Sequence, residues 1–372
     1  MKKGIICVLV CMLMISSTII PVSATALSEK TSHPLTKGST LYVGGSGPNN
    51  YTKIQDAIND ASNGDTIFVY DDSSPYYESV IVDQSISLIG EDKYTTVIDG
   101  GETKNRSVVN ITADGVVVQG FTIQNSSSLD GWPNYVNGIE ILSEYNIIKD
   151  NIIKDNYIGI QVGGWTVNTS YYNHSIIDGN DIYQNYAYGV YILTNYNTIW
   201  HNRISSNKFC GLYLSYSKGN LVTLNNITKN GKTGPESGIF MIIGINNTIL
   251  KNNIIDNHLG IYMSESSKNS FLQNNIYKNV INAWVEDTMI VALLSMRKQN
   301  TWDGNYWGNA RQLPKPIIGR SLLLIPSMMI TMALSSLLSF LHYPYLIPIC
   351  LLIIKFDWHP AQEPYDIPLQ DR

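Results

Sequence analysis

An all-β solenoid built from short stacked strands is the fold class that this chain of 372 residues predicts. Six copies of Asn-x-Ile-x-x-Asn begin at Asn151, Asn180, Asn202, Asn225, Asn252 and Asn274, at intervals of 29, 22, 23, 27 and 22 residues. A base period of about 22 lies in the range of stacked-repeat folds. A second beat runs beside the first, Gly138-Ile139, Gly159-Ile160, Gly189-Val190, Gly211-Leu212, Gly238-Ile239 and Gly260-Ile261, each opening a short alternation such as Gly-Val-Tyr-Ile-Leu. Alternation of period two is a strand signal. No unit this short closes a core of its own, so each Ile must stack on the Ile of the preceding unit to seal a continuous apolar column.

Along the chain, Lys2 and Lys3, the apolar run from Ile5 to Ile20 and Ala24-Thr25-Ala26 read as a secretory signal over residues 1–26. A polar linker, 27–40, precedes a first strand over Thr40–Val43. Thr52 with Gln55 three residues on has the form of a capping box, and Ile54, Ala57, Ile58 and Ala61 give one apolar stripe stopped by Asn63-Gly64. That helix would cover the open first edge of the stack. Strands are expected over Asp65–Tyr70, Ser79–Val82, Ile86–Ile89, Thr95–Asp99, Val108–Ile111 and Val116–Val118, and Gly120 to Asn125 is a cousin of the repeat. Roughly nine coils at about 4.8 Å each give a rod of about 45 Å. The asparagines suit this scaffold because Asn tolerates the left-handed region at a bend and its amide both donates and accepts. Two interruptions, 126–137 and 163–174, are where a rigid scaffold carries variable chemistry.

Loss of the signal leaves 23 basic and 30 acidic residues, a net charge of −7, which argues against a nucleic-acid partner. Only Cys210 and Cys350 lie beyond the signal, too few for a disulfide framework or a cysteine metal cluster. A secreted or cell-surface protein is expected. Residues 321–354 carry no Lys, Arg, Asp or Glu, and Leu322–Leu341 alone is long enough to span a bilayer, which makes 311–355 a candidate membrane anchor ahead of the tail 356–372. Asn-x-Ser/Thr glycan acceptors begin at eight positions, among them Asn50, Asn110 and Asn226.

The strings Tyr51-Thr52-Lys53-Ile54-Gln55-Asp56-Ala57-Ile58, Gly64-Asp65-Thr66-Ile67-Phe68-Val69 and Ser87-Leu88-Ile89-Gly90-Glu91-Asp92, with the Asn coils, resemble right-handed parallel β-helix proteins of the pectin-lyase-like superfamily. More narrowly they resemble NosD-like and carbohydrate-binding or sugar-hydrolase repeat proteins of archaeal surface type, as do Asn300 to Gly308 and Phe356 to Asp366. The resemblance covers residues 40–310 and the tail. It implies a right-handed parallel β-helix over 41–310 and a saccharide ligand.

Enzymes of that superfamily act through clustered carboxylates. The resemblance would bring Asp-Asp on a coil strand with Gly-His-Gly and Arg-x-Lys nearby, or Asp-Pro-His in an epimerase; the chain has a single Asp-Asp, Asp71-Asp72, ahead of the repeats, and neither partner motif. Asp178, Asp181 and Arg203, beside the Asn turns, are the candidate catalytic residues if there is chemistry, with Ca²⁺ as the cofactor of a lyase. The NosD-like resemblance implies copper, for which His201 and His258 are the candidate ligands; no cofactor is otherwise expected. The positive signal is aromatic. Tyr171, Tyr172, Tyr183, Tyr186, Tyr188, Tyr191 and Tyr213 crowd successive coils, and aromatic faces stack on sugar rings while Asn and Asp bond hydroxyls. Trp165, Tyr171, Tyr172, Tyr191 and Tyr213 are the candidate contacts to a polysaccharide or surface glycan. Non-catalytic carbohydrate binding or a cell-envelope role is the leading expectation; a polysaccharide hydrolase or lyase is the alternative and copper handling the third.

Overall fold

A computed structural model describes residues 38–101, 106–126, 136–164, 172–231, 236–288, 299–310, 313–326 and 346–368, all within the compact unit Lys37–Arg372. The candidate leader lies outside them.

Each coil gives one strand to each of three sheets. In the coil that starts at Asn137, Asn137–Ile141 enters sheet C, Ile147–Lys149 sheet A and Ile152–Lys154 sheet B. Among the described residues sheets A and C hold eleven strands each and sheet B eight. Neighbours pair in parallel, except the last pair of sheet C, Lys315–Pro326 against Leu346–Asp357, which is antiparallel. Three-strand coils follow one another from Val80 to Tyr277, and Ile281–Thr288 with Thr301–Asp303 opens one more, matching the roughly nine expected.

Register explains the periodicity. Ile153, Ile182, Ile204, Ile227, Ile254 and Ile276 sit directly over one another in sheet B, every one fully buried. Sheets A and C add columns such as Ile148, Ile177 and Ile199, and Ile160, Val190 and Leu212. Burying each side chain contributes about 1.5–3 kcal/mol, and only stacking makes it available.

The asparagines form three hydrogen-bonded ladders, one per corner. In the first, the backbone N–H of Asn151 donates to Asn180 Oδ1 at 3.0 Å, and the step repeats through Asn202, Asn225, Asn252, Asn274 and Asn305. The second runs from Asn156 through Asn185, Asn207, Asn230 and Asn257 to Asn279. The third, Asn197, Asn220, Asn247, Asn269 and Asn300, was not anticipated. Every one of these side-chain amides but that of Asn197, which donates to Thr194 Oγ1, also donates to a backbone carbonyl, as Asn225 Nδ2 does to Ile199 O at 2.8 Å and Thr223 O at 3.0 Å. The expected role needs one correction. The left-handed residue is the one before the ladder Asn: Asp150, His201, Leu224, Lys251 and Gln273 have φ between 51° and 56°. Asn itself turns inward, where its donors and acceptor are all used, so its neighbour takes the bend.

The glycine beat has a packing cause. A Cβ on Gly211 would stand 2.8 Å from Asn230 Nδ2 and from Gly238 O, and 2.9 Å from Ile227 Cγ2. Backbone and ladder meet there too closely for any side chain.

At the N-terminal end the helix Ile54–Asp60 buries Ile54, Ala57 and Ile58. Its cap differs from the expected Thr52–Gln55 box. Lys53 is the N-cap without a side-chain bond, and the Glu78 carboxylate, 24 residues on, accepts from Ile54 N at 2.9 Å and Gln55 N at 3.0 Å. Gln55 is thereby freed to pair with Ile81, accepting from its N–H and donating to its carbonyl, which covers the edge of sheet C. At the other end Trp302 stacks on Phe271 (4.0 Å between ring centres, 9°) and Trp307 is buried beside it. The first ladder stops on Asp357: its Oδ2 accepts from Asn305 N, Asn305 Nδ2 and Trp307 Nε1, each at 3.0 Å. The tail returns over the last coil, where Tyr365 and Asn275 exchange two hydrogen bonds of 2.8 Å.

The candidate span Leu322–Leu341 begins inside the strand Lys315–Pro326, and 327–345 lie outside the described residues. Among the described residues no helix is long and apolar enough to cross a membrane.

Candidate functional site

Alternation in sheet C sends every second side chain away from the core. One outward column therefore stacks, in register, Asn110, Glu140, Gln161, Tyr191, Tyr213, Phe240, Tyr262 and Trp284. From Tyr191 onward the column is aromatic. Tyr191 and Tyr213 stack at 4.7 Å and 16°, and Tyr213–Phe240 and Phe240–Tyr262 follow at 4.8 Å. A T-shaped contact of 5.1 Å ties Tyr188 to Tyr213, and Tyr157, Phe209 and buried Ile158 and Ala187 complete a second apolar cluster outside the main core. Burial raises the Tyr213 hydroxyl above its ordinary pKa, with Ser215 opposing, so it stays a neutral donor at physiological pH.

Beside this face, at the corner between sheets B and C, runs an open groove of about 890 Å³. Its floor is ladder asparagines, Asn156 and Asn185, and its walls are outward residues of the bends, Asp155, Gln184 and Ser206. Tyr157 and Tyr186 lie 5.4 Å apart within it, Tyr186 is 54% exposed, and Lys208 Nζ sits 4.0 Å from the Tyr186 ring centre. Rings, amides, a carboxylate and an ammonium thus share one trough along the rod axis. The sequence marked Tyr186 and Tyr188 as part of a crowd but not Tyr157, Gln184 or Lys208. The missed signal was position: all follow or precede the second Asn of a repeat.

Of the residues proposed from sequence, Tyr191 is 2% exposed within the stack and Tyr213 is half-buried beside it. Tyr172, half-buried, stands where the chain re-enters the coil, while Trp165 and Tyr171 lie outside the described residues. Asp178, Asp181, His201 and Arg203 come together at a different corner, between sheets A and B. Arg203 stacks over Asp181 with Nε 3.7 Å from Oδ1, and His201 Nδ1 is 3.7 Å from Asp178 Oδ1. Burial raises the Asp178 pKa, while His201 and Lys149 pull it down and Asp150 adds to the rise. These pairs are part-exposed, worth under about 1 kcal/mol each. His258 sits at the B–C corner two coils farther on, so His201 and His258 are not brought together. Among the described residues no three His, Cys, Asp or Glu side chains gather in a metal-binding group. Cys210 is fully buried, its thiol pushed well above its ordinary pKa by that burial, and it is unsuited to act as a nucleophile or ligand.

The profile of a family described as the right-handed β-helix region matches residues 90–236 and 165–292, more than half of the chain. No curated protein matches in sequence. Solved structures share the fold. Tailspike protein 2 of an Escherichia coli O157:H7 bacteriophage is 13% identical, covering 77% of this chain and 39% of that one, with a TM-score of 0.55. XylC, solved in complex with xylose, is 12% identical over 78% and 71%, TM-score 0.54. The A-module of the Azotobacter vinelandii mannuronan C-5 epimerase AlgE6 is 14% identical over 69% and 81%, TM-score 0.51.

Proposed function

Because this chain belongs to the right-handed β-helix family, we propose that it is a rigid saccharide-binding rod whose ligand lies along sheet C and the adjoining groove. The observation that carries this reading is the trough itself: Tyr157 and Tyr186 offer ring surface, and Asp155, Gln184 and Ser206 line it with hydroxyl-bonding groups. A long groove parallel to the rod axis suits a chain ligand better than a compact one. The fold neighbours named for mannuronan and solved with xylose point to the same ligand class.

The role is non-catalytic binding at the cell envelope, on a secreted or surface-attached protein. An acid–base pair facing one groove would favour catalysis, but Asp178 and Asp181 stand at the A–B corner, each beside a basic partner and away from the trough. Copper handling has less support still, since His201 and His258 occupy separate corners.

A glycan array followed by calorimetry on the best ligand tests this, with Tyr186→Ala and Trp165→Ala as variants. Retained polymer and an affinity lost at least about tenfold in Tyr186→Ala support the proposal. New reducing ends or unsaturated ends during incubation would refute the non-catalytic role. For attachment, cell fractionation of the full chain against one lacking 321–354 separates a tethered from a released protein.

A further inference from the structure

The three ladders finish differently at the C-terminal end of the rod. At an inner rung one Asn gives its backbone N–H and its Nδ2 to a single oxygen of the next coil, as Asn269 gives both to Asn300 Oδ1 at 2.9 and 3.0 Å. The last rung of the first ladder meets the Asp357 carboxylate instead, and Trp307, two residues after Asn305, adds its Nε1 to the same oxygen. In the second ladder Asn279 Nδ2 turns onto Asn282 Oδ1 at 3.1 Å. The third has no such closure. Asn300 Nδ2 donates to Ser266 O at 2.8 Å, and among the described residues no acceptor takes its backbone N–H or the second hydrogen of its amide.

The chain repeats one motif around that open rung: Asn300-Thr301-Trp302 matches Asn305-Tyr306-Trp307. Trp302 Nε1, unlike its counterpart, has no hydrogen-bond partner. That nitrogen is covered by its neighbours and touches no ligand; Asn300, half-buried on a cavity wall, is the donor that a ligand meets. The cavity has a volume of about 360 Å³ and is lined also by Trp302, Lys355, Phe356 and Trp358. Trp358 is 63% exposed and its ring centre lies 5.2 Å from that of Phe356. Lys355 forms no ion pair among the described residues, although Asp287 is within its electrostatic reach. The adjoining acids are engaged, Asp303 with His359 at 2.7 Å and Asp357 with its donors. A group that accepts two converging N–H donors beside an ammonium, and has nothing to donate in return, is a carboxylate.

We propose that this cavity binds a small carboxylate, one oxygen of which takes at Asn300 the place that Asp357 Oδ2 takes at Asn305. Lys355 supplies the countercharge, and Trp358 with Phe356 receives the face of the ring that carries the acid. The trough is lined by other residues, between Gly101 and Lys208, so either assignment can fail alone.

The acid can be carried by an aryl ring or by a sugar ring, and the experiment separates them. The full chain is titrated calorimetrically at pH 7.5 with phenylacetate and galacturonate, with phenylacetamide, galactose and sulfate as controls. Support is either acid bound at least about tenfold more tightly than its neutral counterpart and than sulfate, with affinity cut at least about tenfold in Lys355→Met. The Asn300 amide proton should move downfield in step with occupancy. The tighter acid identifies the carrier, and Trp358→Ala should weaken it several-fold without changing the melting temperature. Acid and neutral compound bound alike, sulfate bound as tightly as either acid, or no carboxylate bound at all overturns the proposal. So does binding that leaves the Asn300 amide unmoved, a readout on the unaltered protein that stands even where Lys355→Met fails to fold.

Discussion

Replacing a single ladder asparagine should cost more than any surface contact in the rod, and Asn225 is the position at which this is sharpest. Its Oδ1 accepts from Asn202 N at 2.9 Å and Asn202 Nδ2 at 3.0 Å, and its Nδ2 donates to Ile199 O, Thr223 O and Asn252 Oδ1. Asn225→Ala strands the buried Asn202 N–H and withdraws the donor from Ile199 O. At about 1–3 kcal/mol for each buried group left unmade, with a small cavity added, the loss is about 3–5 kcal/mol. Asn225→Asp keeps the acceptor for Asn202 but turns a second oxygen toward two carbonyls. The introduced carboxyl must have a raised pKa in the fold. A raised folded pKa means that stability is present at low pH and lost as pH rises, so this variant should approach the alanine variant at pH 7.5 and recover near pH 4. Urea melts followed by far-ultraviolet circular dichroism at both pH values measure this directly. An alanine variant within about 1 kcal/mol of the parent, or an aspartate variant with no pH dependence, would refute the ladder as a principal source of stability.

Gly211→Ala should destabilise by at least about 3 kcal/mol, since its methyl group lands under 3 Å from a ladder amide and a carbonyl of the next coil; thermal melts check it, and an unchanged melting temperature would be the contrary result. Glu78→Ala removes the acceptor for two helix N–H groups and should cost about 1–2 kcal/mol, seen as earlier proteolytic cleavage near residues 53–60. Burial pushes the Asp287 carboxyl up to about 6, with Lys355 opposing and Glu265 adding to the rise, against 3.8 in the free residue. The folded state therefore binds the proton that the unfolded chain has released, and stability falls as pH rises from about 4 to 6. Asp287→Asn should flatten that slope and raise the melting temperature at pH 7, and a variant that still shows the parent slope would assign it to another group.

Much of the fold was legible because the solenoid makes local and long-range information coincide. Ile182 and Ile204 are 22 residues apart and directly stacked, so a period in the sequence is a contact in space. What escaped was whatever lacked the full motif. The third ladder carries only a lone Asn ahead of each sheet A strand, as in Asn197-Thr198 and Asn220-Leu221, and one repeated letter does not stand out in a chain rich in Asn. The Glu78 cap was hidden because a carboxylate arriving from 24 residues away outcompetes a local box that the sequence also contains. The trough depends on which residues of different coils share a column, and the unequal intervals of 29 and 27 residues shift that count.

Asp357 also bears on how the rod meets other rods. Every ladder step points one way, each coil's N–H reaching for an oxygen on its C-terminal neighbour, so the structure has a growing end in the sense that a filament has one. A second molecule docking there would have to offer an oxygen to a donor in the next ladder position, but that position holds a carboxylate whose Oδ2 is filled by three donors and whose Oδ1 accepts from His359 N. A carboxylate has no hydrogen to hand onward, so the first of the three ladders halts at that residue. One corner of a fold this close to a fibre in its internal geometry is thereby closed by one side chain.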